Sequence, residues 1–230
     1  MGRAFAAEGI PFVGLIDRGA GHYVTALVIA EQMRLIGERD AVRWCAGNAE
    51  SFHADPQRLV VAGDSAGGTL SAVVALQPRD AGGPQIALQV LIYPATDLTC
   101  ESDSYVRNAQ GYMLTANALR WFADRYVPIR ARRADWRVSP LLHPSLRGVA
   151  PALVIAAEHD PLVDEDKAYA DRLSHEGVAA EYVCYPGMLH PFFTLGGVID
   201  EAAHAEDLIA ARIRSLGRPA TAFAPPSSPR

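Results

Sequence analysis

AGDSAGGTL, residues 62–70, decides how the rest of the chain is read. Ser65 stands between Gly63 and Gly67, and the apolar run Leu59–Ala62 leads into it. One reading is a small-residue turn with a capping serine. The other is a G-x-S-x-G nucleophile, in which the serine sits on a tight strand-to-helix turn and glycines relieve the crowding around its strained backbone. The context favours the second: a strand ends near Asp64, and a helix starts at Ala66. A serine hydroxyl is a weak nucleophile at neutral pH. It needs a base, a group to orient that base, and donors for the oxyanion. The Ala66 N–H, at the head of the expected helix, is a candidate oxyanion donor.

The partners of such a serine are expected later in the chain, acid before histidine, at the carboxyl ends of later strands. Asp160 ends the apolar run PALVIAAEHD, and His190 lies in YPGMLHPFF just past another. These are the candidate acid and base: a carboxylate on one imidazole nitrogen, Ser65 on the other. Asp97, which follows LIYPAT, is the fallback acid. His159 neighbours Asp160 and is expected to point away. Asp164 and Glu165 read as acids that start the next helix, and Asp64 as a support for the turn. His22, His53, His143, His175 and His204 read as surface or packing residues.

Four short runs, Arg58–Asp64, Ile86–Pro94, Pro151–Asp160 and Ala180–Pro186, read as strands, and the first three are apolar on both alternate faces. That pattern belongs to parallel strands covered by helices on both sides. Ile10–Asp17 is a weaker strand because of Gly14. Helical patterns lie between them. DEDKAYADRLSHEG starts with acids and ends at Gly177, a C′ glycine. In IDEAAHAEDLIAARIRSLG, Ile199, Ala202, Ala203, Ile209, Ile213 and Leu216 form one stripe, with Asp200 and Glu201 first and Arg212 and Arg214 last, matching the helix dipole. Strand and helix alternate, so the fold class is α/β with a mainly parallel sheet. Between 97 and 146 the rhythm breaks. That stretch is too long for a connecting loop. It holds a helix with Thr115 as N-cap and Leu119, Phe122 and Tyr126 on one face, and it is rich in aromatics. It reads as a helical cap inserted into a core spanning 1–217, followed by a disordered, Pro- and Ser-rich tail at 218–230.

The 230 residues are 50% hydrophobic and carry a net charge of −5. A sizeable core follows, and no basic stripe suggests nucleic acid. No run reaches the roughly 18 apolar residues of a membrane span. Glu8 and Asp17 interrupt what a signal peptide would keep apolar. Cys45, Cys100 and Cys184 are scattered and odd in number, which points to a reducing cytoplasm rather than a disulfide framework or a zinc site. Nothing calls for a metal or cofactor.

From about residue 55 to 217 the chain resembles the bacterial hormone-sensitive-lipase-like esterases of the α/β-hydrolase superfamily. The resemblance rests on DPQRLVVAGDSAGG, QVLIYPATDLT, GYMLTANALRWFADRY, SPL, PALVIAAEHDPLVDE and YPGMLHPFF, in that order. It implies hydrolysis of small, short-chain carboxylic esters through an acyl-enzyme, with Ser65 as nucleophile, Asp160 as acid and His190 as base. Pro191 departs from the family's glycine after the histidine. A larger departure is that the family's HGGG oxyanion motif does not occur in the sequence. GAGH, Gly19–His22, is a superficial echo. The family's first strands and N-terminal cap helices are also expected to be lacking, so Ile10–Asp17 either pairs directly with Arg58–Asp64 or leaves an open edge. Two alternatives to an active esterase stay open: a catalytically dead or impaired hydrolase-like domain, and an amide hydrolase or deacetylase on the same triad. An exposed edge at Ala180–Pro186 makes a homodimer an expectation.

Overall fold

The computed structural model describes residues 12–14, 38–49 and 55–216. Among the described residues five strands form one parallel sheet in the order β1-β2-β3-β4-β5: Phe12–Gly14, Leu59–Asp64, Ile86–Ile92, Ala152–His159 and Ala180–Leu189. Sequence order equals sheet order, so each crossover steps to the next strand. The N-terminal strand pairs directly with β2, Phe12 opposite Val60; the rest of Ile10–Asp17 lies outside the described residues, as do GAGH, His22, His53 and the tail.

The helices are α1 (Glu38–Gly47), α2 (Ala66–Ala81), α3 (Ser104–Arg107), α4 (Ala116–Tyr126), α5 (Val163–His175) and α6 (Asp200–Ser215). Alternate residues of the central strands feed two cores. Leu59, Val61 and Val154 pack with Val42 of α1, Leu76 of α2 and Leu173 of α5. On the other face Val60, Ala62 and Ile155 pack with Ala202, Ile209 and Ile213 of α6. This explains the unbroken apolar runs: both faces of β2 and β4 are covered. Each buried Leu, Ile or Val contributes about 1.5–3 kcal/mol relative to exposure.

Local signals hold at the helix ends. The Thr115 side chain accepts the Ala118 N–H at 3.1 Å. Gly177 follows α5 at φ 83°, where a side chain would be strained. Arg212 of α6 ion-pairs with Glu181 of β5, fastening the last helix to the edge strand.

Two strands differ from expectation. β3 stops at Ile92, because Tyr93 turns the chain with a φ of 36°. β5 continues past Pro186 to Leu189, with a register shift against β4 between Ala157 and His159. Proline is tolerated there because β5 is terminal in the sheet and bulged. The bulge is held by the Gly187 N–H, which donates to Glu158 Oε2 at 2.7 Å.

The stretch 97–146 contains α3, α4 and two short 3-10 turns. Its core is Cys100, Tyr105, Leu114, Ala116 and Ala123, closed by Leu162 from the β4–α5 turn. α3 was not legible in the sequence; its four residues are too few to show a period.

Candidate active site

The site forms where β2, β4 and β5 end. Ser65 follows β2 and precedes α2, with a left-handed φ of 52°. For a non-glycine residue that costs about 1–3 kcal/mol. Its N–H donates to the Ile92 carbonyl at 2.8 Å, and its own carbonyl accepts the Thr69 N–H at 3.1 Å. The glycines have distinct jobs. A Cβ on Gly63 would overlap the Gly67 backbone, and one on Gly68 would press on Pro94 at 2.9 Å. The turn closes only because these positions are bare.

The register shift in β5 brings His190 beside Asp160. The His190 Nδ1–H donates to Asp160 Oδ2 at 2.6 Å, and the Ser65 hydroxyl donates to His190 Nε2 at 3.0 Å. This tautomer follows from the partners, since an ionised carboxylate can only accept. Asp160 is fully buried, and its second oxygen accepts the Leu162 N–H at 2.9 Å. Ser65 is half-buried, so the chain of bonds runs from the interior to an accessible hydroxyl. The His190–Pro191 peptide bond is cis. Ala66 is the first residue of α2, which places its N–H at the positive end of a 16-residue helix.

Thus the structure brings together Ser65, Asp160 and His190, the three residues singled out by sequence. The other candidates fall elsewhere. The Asp97 carboxylate accepts the Thr99 N–H at 2.9 Å, within its own turn. His159 stacks on Tyr112, ring centroids 4.8 Å apart. His143 is buried, its Nε2 3.0 Å from Asp80 Oδ2. His175 and His204 are exposed on helices. Asp164 and Glu165 do lie in the first turn of α5, yet Glu165 is buried and accepts the Thr96 and Asp97 N–H groups at 2.6 and 3.1 Å. Burial pushes its carboxyl well above the usual range, with the Asp97 charge adding to the effect.

Three supporting residues escaped the sequence reading. Asn108 Nδ2 donates to the carbonyls of Glu158 and Asp160 at 3.2 and 2.9 Å. The buried Ser104 hydroxyl donates to the Pro161 carbonyl, and the Ser104 N–H to Asp164 at 2.8 Å. Tyr93, fully buried, packs its ring against the His190 ring with centroids 4.4 Å apart. No local pattern marks Asn108 or Ser104, and Tyr93 read simply as the end of a strand.

Geometry of this kind can activate a hydroxyl and pass its proton to a leaving group. Among the described residues no helix is long and apolar enough to cross a membrane.

Residues 38–194 match the family described as alpha/beta hydrolase fold. The chain is 44% identical over 166 residues to the ethyl acetate hydrolase of Pseudomonas putida, covering 71% of this chain and 52% of that protein. It is 42% identical over 178 residues to the carboxylic ester hydrolase LipN of Mycobacterium tuberculosis, covering 74% of this chain and 47% of the relative. The chain therefore spans about half the length of the curated relatives it matches. Among solved structures it is similar to EstE1, a thermophilic carboxylesterase cloned from a metagenomic library, with a TM-score of 0.76 and 38% identity, over 79% of this chain and 63% of that one.

Proposed function

The chain belongs to the α/β-hydrolase fold family, and from that premise we propose that it hydrolyses carboxylic esters through an acyl-enzyme. Ser65 is the nucleophile, His190 the general base and then acid, and Asp160 the group that orients the imidazole. The observation that carries this reading is the continuous pair of hydrogen bonds, 3.0 Å from Ser65 to His190 and 2.6 Å from His190 to Asp160. The Ser65 oxygen attacks the ester carbonyl as its proton passes to His190 Nε2. The carbonyl oxygen gains negative charge and faces the Ala66 N–H. The alcohol leaves with the proton from His190, and an acyl-serine remains. Water then attacks by the same route and releases the acid. Asp160 keeps its charge throughout and stabilises the imidazolium.

The small, short-chain ester class is supported by the relative named as ethyl acetate hydrolase, and ester hydrolysis more broadly by the one named as carboxylic ester hydrolase. The 97–146 stretch reads as a cap on this site, a role supported by its bonds to the turn after Asp160. Self-association along β5, the terminal strand of the sheet, belongs to the same proposal and is read by gel filtration.

The test is hydrolysis of p-nitrophenyl esters from acetate to laurate by the parent chain and Ser65→Ala. Expected are turnover favouring the short esters and its loss in the variant. Parent-level hydrolysis by a folded Ser65→Ala chain overturns the assignment. A second reading, a catalytically impaired hydrolase domain, is favoured by one observation: no HGGG occurs in the sequence. A chain that Ser65-directed fluorophosphonate labels slowly, with turnover near background, supports that reading. Faster cleavage of matched anilides than of esters would point to an amide hydrolase.

A further inference from the structure

Tyr93 carries two costs that core packing does not demand. Its backbone is left-handed, at φ 36°, a conformation unusual for a bulky aromatic residue. Its hydroxyl is buried and closes no hydrogen bond of normal geometry among the described residues, although the Phe193 backbone N–H bears on it. Phenylalanine would fill the same space without the buried oxygen, and an ordinary strand residue would not need the turn. The backbone turn is the cost that bears on the site, because it sets the ring against His190, at 4.4 Å and a tilt of 52°. On its other contacts the ring is braced by buried Phe192, edge-on at 5.9 Å, which is itself packed on Tyr185 at 5.1 Å.

The backbone explains how the ring is aimed. The Tyr93 N–H donates to the Ile155 carbonyl of β4 at 2.6 Å, while the preceding carbonyl, that of Ile92, accepts the Ser65 N–H at 2.8 Å. Two consecutive residues at the end of β3 therefore locate the nucleophile and the seat of its base. Pro94 then closes against Gly68, which prevents the turn from relaxing.

We propose that Tyr93 is a positioning residue for His190: its ring holds the imidazole at the distance of the Ser65 hydroxyl, and its π-face stabilises the imidazolium formed as the proton is taken. The inference rests on the triad reading above. His190 has a largely buried side chain, 8% exposed, and its new positive charge lies between Asp160, at one nitrogen, and the Tyr93 ring, whose centroid is 4.4 Å away at a tilt of 52°. A desolvated cation beside an aromatic face is stabilised enough to change a rate by about ten- to thirtyfold. The hydroxyl has no part in this.

The test replaces the ring's electrons while keeping its shape. Tyr93→Phe, Tyr93→Leu, and a series of increasingly fluorinated phenylalanines at position 93 are compared by kcat and KM on p-nitrophenyl acetate, by the rate of Ser65 labelling with a fluorophosphonate, and by thermal unfolding. Tyr93→Phe is expected to keep kcat within about twofold of the parent and to melt no lower. Tyr93→Leu is expected to lose about tenfold in kcat and labelling rate, with KM changed by less than about twofold. The fluorinated rings preserve packing even if the leucine variant fails to fold, and each added fluorine should lower both rates further. Parent rates in pentafluorophenylalanine or folded leucine variants overturn the inference, as does an equal loss in Tyr93→Phe. Ser65→Ala at parent activity instead overturns the triad reading, and a folded parent whose Ser65 neither turns over nor labels overturns both.

Discussion

Gly63 and Ser65 show how little room the turn of the candidate nucleophile leaves. Ser65 holds a left-handed φ, and a methyl group two residues earlier would land on the Gly67 backbone. The backbone cannot yield there, because the Ser65 N–H is tied to β3 and its carbonyl to Thr69. Gly63→Ala is therefore expected to destabilise the chain by about 1–3 kcal/mol, the usual cost of overpacking. It should also move the Ser65 hydroxyl off His190 and cut ester turnover by about tenfold or more. Urea unfolding and kcat on a short ester read the two effects separately. A stable, fully active Gly63→Ala chain would mean that the turn relaxes more than its bonds suggest.

At the scale of elements, α3 is the informative one. It has four residues, Ser104–Arg107, and contributes little as a helix. Its value lies in what it and the next residue hold. Ser104 takes the Pro161 carbonyl, Arg107 pairs with Asp164 at 2.7 Å, and Asn108 takes the carbonyls of Glu158 and Asp160. The turn carrying the candidate acid is thus gripped from the 97–146 stretch rather than from the sheet. Asn108→Ala would take the side-chain donor from both carbonyls, that of Asp160 keeping only the longer Val163 N–H bond of 3.3 Å, at about 1–3 kcal/mol if the site stays dry. The expected result is a lower melting temperature and a kcat reduced by about tenfold with KM little changed. Ser104→Ala should do less, since the shorter of its two Asp164 contacts, 2.8 Å, uses the backbone N–H. Loss in KM alone would place Asn108 in substrate binding instead.

Across the whole molecule, two buried carboxyls of α5 tie stability to pH. Burial holds both Glu165 and Asp166 well above the usual carboxyl range, with the Asp97 charge also raising Glu165 and the Asp160 charge raising Asp166. Neither oxygen of Asp166 has a hydrogen-bond partner among the described residues. In the unfolded chain these groups ionise near pH 4. Above that, the native state keeps protons that the unfolded state has released, so stability falls as pH rises, by up to about 1.4 kcal/mol per pH unit for each group, until the native groups ionise. Melting temperatures measured from pH 5 to 8 should decline. Asp166→Ala should flatten the decline and raise stability at neutral pH by about 1–2 kcal/mol, because it removes an unsatisfied buried polar group. An unchanged slope would show that Asp166 finds water or a partner. Turnover is a separate matter. With the Ala66 N–H as the proposed oxyanion donor and no HGGG in the sequence, the 230-residue chain is expected to run about 10²–10³-fold slower for each donor short of a complete oxyanion hole. Comparing its kcat with that of the ethyl acetate hydrolase on one short ester measures this.

The amino-acid sequence by itself determined the features that depend on near neighbours or on composition. The apolar runs of β2, β3 and β4, the caps at Thr115 and Gly177, and the glycines around Ser65 are all written within a few residues of where they act. The order of Ser65, Asp160 and His190 along the chain was legible because each follows its own strand run. What only the tertiary structure decided involves distant partners. Asn108 lies 52 residues from the Asp160 carbonyl it holds, and no local preference encodes that. The burial of Glu165 and Asp166 depends on which side of α5 meets the sheet. Tyr93 runs against local expectation, since a residue before proline prefers an extended backbone. Its left-handed turn is imposed by the bonds of β3 to β4 and to Ser65, and by the ring packed on His190. Tertiary contacts from several elements together outweigh the preference of one residue, and that is why the seat of the histidine could not be read from the chain alone.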